Sequence, residues 1–82
     1  MYILYIVKCA DRTFYTGICR DVKKRLVEHN TTDRGAKYTR ARRPVRLVYQ
    51  RTYRNRSTAS RAEARVKQMT RADKIKMIRS AD

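Results

Sequence analysis

The chain has 82 residues, in which 22 Lys and Arg face 7 Asp and Glu for a formal net charge of +15. A chain this short makes one domain over residues 1–82 that buries only roughly 60–65% of its unfolded surface, which excludes a second module or a deep cavity and leaves a surface or shallow groove to act on. So large a positive excess repels itself unless an anionic partner neutralises it, so nucleic acid is the first partner to expect and an anionic membrane the second; no apolar run approaches the ~20 residues of a membrane span.

Residues 2–9 (YILYIVKC) are apolar at nearly every position and rich in β-branched and aromatic types, which predicts a central strand covered on both faces. Ala10-Asp11-Arg12 is a turn, and residues 13–18 (TFYTGI) complete a hairpin. Gly17 inside that second strand points to the close approach of a backbone or a ligand. Residues 21–29 (DVKKRLVEH) predict a helix capped by Asp21, with Asn30 stopping it in a left-handed conformation. Residues 33–43 are a basic stretch with room for a short helix, ended by Pro44. Residues 45–53 alternate as Val45, Leu47 and Tyr49, a third strand with one face on the core. Ser57 is the expected cap of a helix over 58–69. Thr70 is that of a last helix over 71–80, with Ile75 and Ile78 on its inner side. The order β-β-α-(α)-β-α-α predicts an α+β domain, a three-stranded antiparallel sheet flanked by helices.

The informative residues break the amphipathic pattern. Starting from Val22, the apolar helical template selects Val22, Arg25, Leu26 and His29, so two polar residues join an inward stripe. From Ala59 it selects Ala59, Ala62, Glu63 and Val66, which sets a carboxylate among small apolar residues. A buried Arg25–Glu63 ion pair would be costly in a thin core, since each desolvated charge costs several kcal/mol before pairing offsets it. A surface Arg25–Asp21 pair would contribute only a few tenths of a kcal/mol. Three inward polar residues on two helices favour a site.

His29 is the single histidine, and Cys9 and Cys19 are the two cysteines, too few for a zinc site or a disulfide framework; the cysteines read as packed thiols. A Ser-His-Asp triad is disfavoured for the same lack of histidine. Tyr5 and Tyr15 sit on the two strands of the hairpin, and its loop decides whether they can cooperate. A two-residue loop puts them on opposite faces. A three-residue loop, Ala10 to Arg12, pairs Tyr5 with Gly17 and Val7 with Tyr15, all on one face.

At these residues the chain resembles the GIY-YIG nuclease domain. Ile3-Leu4-Tyr5 matches the first signature strand, with isoleucine in place of its glycine. Tyr15-Thr16-Gly17 matches the second, with threonine in place of its hydrophobic residue. The spacing in YTGICRDVKKRLVEHN puts Arg25 and His29 where the family has a helix arginine and a downstream histidine, and Glu63 falls at the metal-binding glutamate. The segment GAKYTRARRPVRLVY is similar to the small stand-alone YhbQ-like branch, related to the nuclease subunit of structure-selective junction endonucleases. The match runs over about residues 2–78, nearly the whole chain.

The resemblance implies an endonuclease that hydrolyses DNA phosphodiester bonds in DNA repair or recombination, with Tyr5, Tyr15, Arg25, His29 and Glu63 as catalytic residues. Glu63 would be the sole protein ligand of Mg²⁺, or of Mn²⁺ in its place, because Mg²⁺ keeps several waters. Arg25 would face the scissile phosphate, Tyr5 or Tyr15 would orient or deprotonate the attacking water, and His29 would position a tyrosine or share the proton. Arg34, Lys37, Arg40, Arg42, Arg43 and Arg46 put six cations into thirteen residues without an acid. They are the expected phosphate contacts, which give affinity, little sequence preference and steep salt dependence. The expected substrate is DNA, branched or nicked duplex included, with a partner protein for substrate selection as a further expectation, since so small a domain offers little surface to select a DNA structure. Without a basic leader or a membrane span, the chain is expected in the cytoplasm, or in the nucleus of a host. The rival reading is a non-catalytic basic domain that binds RNA or DNA; it leaves Glu63 unexplained.

Overall fold

The structure is a computed structural model and describes residues 1–32 and 34–81. Three strands, β1 (Tyr2–Lys8), β2 (Phe14–Cys19) and β3 (Arg46–Tyr53), form an antiparallel sheet in the order β2-β1-β3. Helix α1 (Val22–Thr31) and the four-residue α2 (Lys37–Arg40) lie between β2 and β3 in the chain, and α3 (Arg56–Lys67) and α4 (Arg71–Ser80) follow β3. The α+β architecture expected from the element order is the one observed. No helix among the described residues is long and apolar enough to cross a membrane.

β1 is apolar on both faces because it is central and both faces are covered. Leu4 and Ile6 form one buried cluster with Ala62 and Val66 of α3, against which Met77 and Ile78 of α4 pack. Tyr5, Val7 and Cys9 form the other with Val45, against which Val22 and Leu26 of α1 pack. Cys9 and Cys19 are free thiols, as expected. Burial of each such aliphatic side chain contributes on the order of 1.5–3 kcal/mol. Helix α4 has no buried residue.

The hairpin adopts the odd loop. Cys9 N–H donates to Thr13 O at 2.8 Å and Arg12 N–H to Cys9 O at 2.9 Å, with Arg12 in the left-handed region at φ 71°. This is a three-residue turn closed by a left-handed third residue. Asp11 Oδ1 fastens it by accepting from Thr13 N–H at 3.1 Å and Thr13 Oγ1 at 2.6 Å. The register follows: Tyr5 opposes Gly17 and Val7 opposes Tyr15, so both tyrosines share the α1 face.

Three local expectations are corrected. Val45, Leu47 and Tyr49 do not share a face. Ile6 pairs with Tyr49 and Val7 with Leu47, so Val48 is the extra residue of a bulge, and Tyr49 turns to the α3 side while Leu47 and Val45 stay on the α1 side. Asn30 does not end α1 in a left-handed conformation. The helix runs on to Thr31 with an extended Thr32 cap, and the Asn30 amide pairs with the strand entry, donating to Val45 O at 3.0 Å and accepting from Val45 N–H at 2.7 Å. Ser57 does not cap α3: Asn55 does, accepting from Thr58 N–H at 2.9 Å, and the helix begins at Arg56. Asn and Ser are comparable caps, and the earlier one takes the role. Asp21 and Thr70 cap α1 and α4 as expected, accepting from Lys24 N–H and Asp73 N–H at 3.1 Å each. Of the basic stretch 33–43, residue 33 lies outside the described residues, and the short helix occupies Lys37–Arg40.

Candidate active site

The α1 face of the sheet gathers four of the five expected catalytic residues around His29. The imidazole is fully buried, and its Nε2 lies 2.7 Å from Tyr5 Oη while its Nδ1 lies 2.8 Å from Thr39 Oγ1. Thr39 Oγ1 also donates to Ala36 O at 2.9 Å, and Ala36 N–H donates to Nδ1 at 3.3 Å. Each ring nitrogen thus has a hydroxyl partner, Tyr5 at Nε2 and Thr39 at Nδ1, that can act as donor or acceptor. Burial, reinforced by the positive charge of Arg25, lowers the His29 pKa to about 4, so the ring is neutral at neutral pH. Burial likewise raises the Tyr5 phenol to about 12, against the opposing pull of the nearby Arg25 guanidinium.

Tyr15 is half-buried and its ring meets the His29 ring edge-on at 5.5 Å. Its other neighbour is Tyr38, stacked at 5.9 Å, which is in turn covered by the Arg42 guanidinium at 3.9 Å. Arg25 is anchored from two sides: Nη1 donates to Glu28 Oε1 at 3.2 Å and to Arg34 O at 2.7 Å. Burial works against its charge, but hydrogen bonding to Tyr5 and Glu28 more than offsets this and holds its pKa above the ordinary value. Its acidic partner is Glu28, neither the Asp21 nor the Glu63 weighed from the sequence.

Two glycines make the cluster possible. A Cβ on Gly17 would lie 2.6 Å from Tyr5 Oη and 2.8 Å from its Cζ, so the close approach expected at Gly17 is that of the phenol itself. A Cβ on Gly35 would lie 2.7 Å from His29 Cα and 2.9 Å from Glu28 O, and glycine there lets the loop lie against the end of α1. Tyr5 is only 2% exposed and has no room to swing away. Gly17→Ala is therefore expected to break the Tyr5–His29 bond and cost about 1–3 kcal/mol. Because His29 is the single histidine, its imidazole NMR signals report the change directly. An alanine variant with unchanged stability and unchanged imidazole signals would contradict the contact.

Glu63 stands apart. Helix α3 packs on the sheet face opposite α1, against Leu4 and Ile6, most closely along β2 and β1. Ala59, Ala62 and Val66 are buried as the helical template requires, whereas Glu63 lies at the margin of that stripe, its side chain 24% exposed and 3.5 Å from Lys67 Nζ. Among the described residues no hydrogen bond or ion pair joins it to Arg25, Tyr5 or His29; β2 is an edge strand, and the two faces meet beside it. Among the described residues no group of three His, Cys, Asp or Glu could hold a metal ion. Both ring nitrogens of His29 are occupied, which leaves Glu63 as the metal donor among the five expected catalytic residues. That donor set suits Mg²⁺, which is bound through one or two carboxylates and keeps its waters, and does not suit zinc.

The basic stretch divides in two. Arg43 Nε donates to His29 O at 2.6 Å and its Nη2 to Thr32 O, so this side chain caps the C-terminus of α1. Arg42 pairs with Asp11 Oδ2 at 3.0 Å and donates to Tyr38 O at 2.9 Å. Arg34, Lys37, Arg40 and Arg46 are exposed. The sequence reading missed Thr39, Glu28, Gly35 and Tyr38 as partners in the cluster. Gly35, Tyr38 and Thr39 lie in the stretch GAKYT, but no local periodicity marks them, and Glu28 was legible only as an i, i+3 partner of Arg25.

The chain is similar to known proteins over nearly its whole length. The family model described as the GIY-YIG catalytic domain matches residues 1–76. A UPF0213 protein of Staphylococcus epidermidis is 51% identical over 94% of this chain and 93% of its own. Among solved structures, the solution NMR structure of a UPF0213 protein of Bacillus halodurans is similar at 38% identity and a TM-score of 0.61, covering 95% of this chain and 83% of its own. That of an E. faecalis protein is similar at 38% identity and a TM-score of 0.65, covering 96% and 83%. The chain belongs to the GIY-YIG catalytic domain family, a family of nucleases whose suggested substrate is DNA.

Proposed function

We propose that this protein is a Mg²⁺-dependent endonuclease that hydrolyses DNA phosphodiester bonds with little sequence preference, in DNA repair or recombination. The observation that carries the reading is the convergence of Tyr5, His29 and Arg25: a buried phenol bonded to a neutral imidazole beside an anchored guanidinium, on a domain of net charge +15. Arg25 binds the scissile phosphate through the N–H groups that Glu28 and Arg34 leave open; its fixed fork matches two phosphate oxygens. Tyr15, the more exposed of the two tyrosines, orients the attacking water. With the His29 lone pair on Nε2, Tyr5 Oη takes the water's proton as its own passes to Nε2, so no free phenolate forms in a desolvated site. The phosphate's negative charge raises the proton affinity of the imidazole when that transfer is needed. Glu63 would hold Mg²⁺, or Mn²⁺ in its place, and the metal would supply positive charge against a phosphate. Arg34, Lys37, Arg40 and Arg46 contact flanking phosphates, while Arg42 and Arg43 keep Tyr38 and the end of α1 in place.

The test is metal dependence. Supercoiled plasmid and branched or nicked duplexes are incubated with the purified protein and Mg²⁺, Mn²⁺ or a chelator. Cleavage with either metal and none with the chelator is expected. DNA binding without cleavage under any of these conditions would leave the non-catalytic binding domain as the reading.

A further inference from the structure

A second basic surface lies outside the tyrosine cluster. At the hairpin end of the sheet a cavity of about 540 Å³ is lined by Lys8, Arg12, Arg46 and Arg71, with Cys9, Ala10, Pro44 and Val45 around them. It adjoins a cavity of about 250 Å³ that shares Lys8, Arg46 and Arg71, adds Arg79, and is floored by Phe14, Val48, Ile75 and Ile78. The two make one groove with five cations and no acidic lining residue. Lys8 pairs with Phe14 across the hairpin, and Phe14 packs into the α3 and α4 side, so the groove runs from the end of the sheet onto the face opposite Tyr5 and Tyr15. Arg71 is held in place: its Nη1 donates to Arg12 O at 2.7 Å and its guanidinium covers the Phe14 ring at 4.8 Å. The left-handed turn residue Arg12 thus presents its carbonyl to the first residue of α4, and most of the Arg71 donors stay open.

We propose that this groove takes an unpaired strand of the DNA substrate, the cations holding its phosphates and the apolar floor receiving an unstacked base. The identity of the occupant as DNA rests on the nuclease reading. A duplex offers a protein phosphates and groove edges and keeps its base faces stacked inside, so it has no use for an apolar floor between cations. A single strand uses both. The strand passes around the hairpin end, from the tyrosine face to the α4 face. The groove therefore selects DNA that carries an unpaired strand, such as a flap or a tail, over continuous duplex.

The test uses fluorescence anisotropy with labelled oligonucleotides in chelator, so that binding is read without cleavage. The probes are a blunt duplex and the same duplex with a single-stranded tail, and the variants are Lys8→Gln/Arg79→Gln and, separately, Arg79→Glu. Neither residue belongs to the proposed active site. Wild type is expected to bind the tailed duplex about tenfold more tightly. The double variant is expected to lose that preference, with a salt dependence shallower by about two charges for the tailed probe and blunt-duplex binding within about twofold of wild type. Thermal unfolding checks that the fold is retained, and Arg79→Glu gives the same answer from a single substitution. Retained preference in both variants, or equal loss for both probes, would overturn the proposal. Cleavage in Mg²⁺ is measured separately: cleavage without tail preference refutes the groove alone, and tail preference without cleavage refutes the nuclease alone.

Discussion

Arg25→Ala is expected to lower the single-turnover rate of DNA cleavage by about 10²–10³-fold, and Arg25→Lys is expected to restore little of it. The Arg25 guanidinium lies beside Tyr5, and it is held there by Glu28 at 3.2 Å and by Arg34 O at 2.7 Å. Its loss removes both the donor that meets charge developing on the phosphate and the field that opposes the burial of the phenol. A lysine ammonium keeps the charge but is a point donor; it cannot span Glu28, the Arg34 carbonyl and two phosphate oxygens together. The structural cost is small by comparison, because the ion pair with Glu28 is partly solvated and contributes about 1 kcal/mol or less. The checks are cleavage rates at saturating protein beside urea denaturation of both variants. Wild-type cleavage in Arg25→Ala would reduce Arg25 to a clamp on the loop at Arg34, and full rescue by lysine would mean that charge alone suffices.

The second large effect is on stability in acid. His29 has a folded pKa of about 4 against an ordinary value of 6.5. The unfolded chain therefore binds the proton first as the pH falls. The stabilising contribution of the neutral ring is complete above pH 6.5, declines through the window down to about 4, and levels off below it. Integrated over that window the loss is about 3 kcal/mol, a large share of the roughly 4–12 kcal/mol expected for a domain of this size. The Asp11 carboxyl, held below its usual value by the two bonds from Thr13, gives up its own contribution only at lower pH. Urea denaturation at pH 7, 5.5 and 4 is expected to show this decline in wild type. His29→Gln should be less stable at pH 7 and nearly flat across the window. A wild type equally stable at pH 7 and 4 would contradict the buried neutral imidazole. In the folded protein the ring takes its proton only near pH 4, and that protonation removes the acceptor of the Tyr5 proton, so cleavage should fall only as the pH approaches 4.

What was legible in the chain is what local chemistry determines. The central strand declares itself because β1 is apolar on both parities. The side chains of Asp21 and Thr70 can reach the N–H groups three residues on, wherever the rest of the chain goes. The hairpin parity was a conditional statement, and the left-handed Arg12 resolved it in favour of Tyr5 and Tyr15 on one face. The inward stripe found His29 because burial and helical period agree there.

The illegible features belong to the tertiary structure. Nothing around Val48 marks a bulge, which exists only relative to β1, so Tyr49 was assigned to the wrong face. Asn30 carries the same side chain as a left-handed helix stop, but the edge of β3 was within its reach. Arg42 and Arg43 are indistinguishable by composition from Arg34 or Lys37; only the end of α1 and the Tyr38 ring single them out. Glu63 fits the apolar template of its helix, yet the sheet separates that helix from the tyrosine face.

In the proposed reaction Glu63 has to act with a cluster across the edge of β2. The most direct measurement compares wild type with Glu63→Gln in Mg²⁺, following nicking of supercoiled plasmid while DNA affinity is measured in parallel. Cleavage reduced by about 10³-fold or more with affinity unchanged within about twofold is the predicted result. Wild-type cleavage by Glu63→Gln, or no cleavage by either protein at equal affinity, would contradict it.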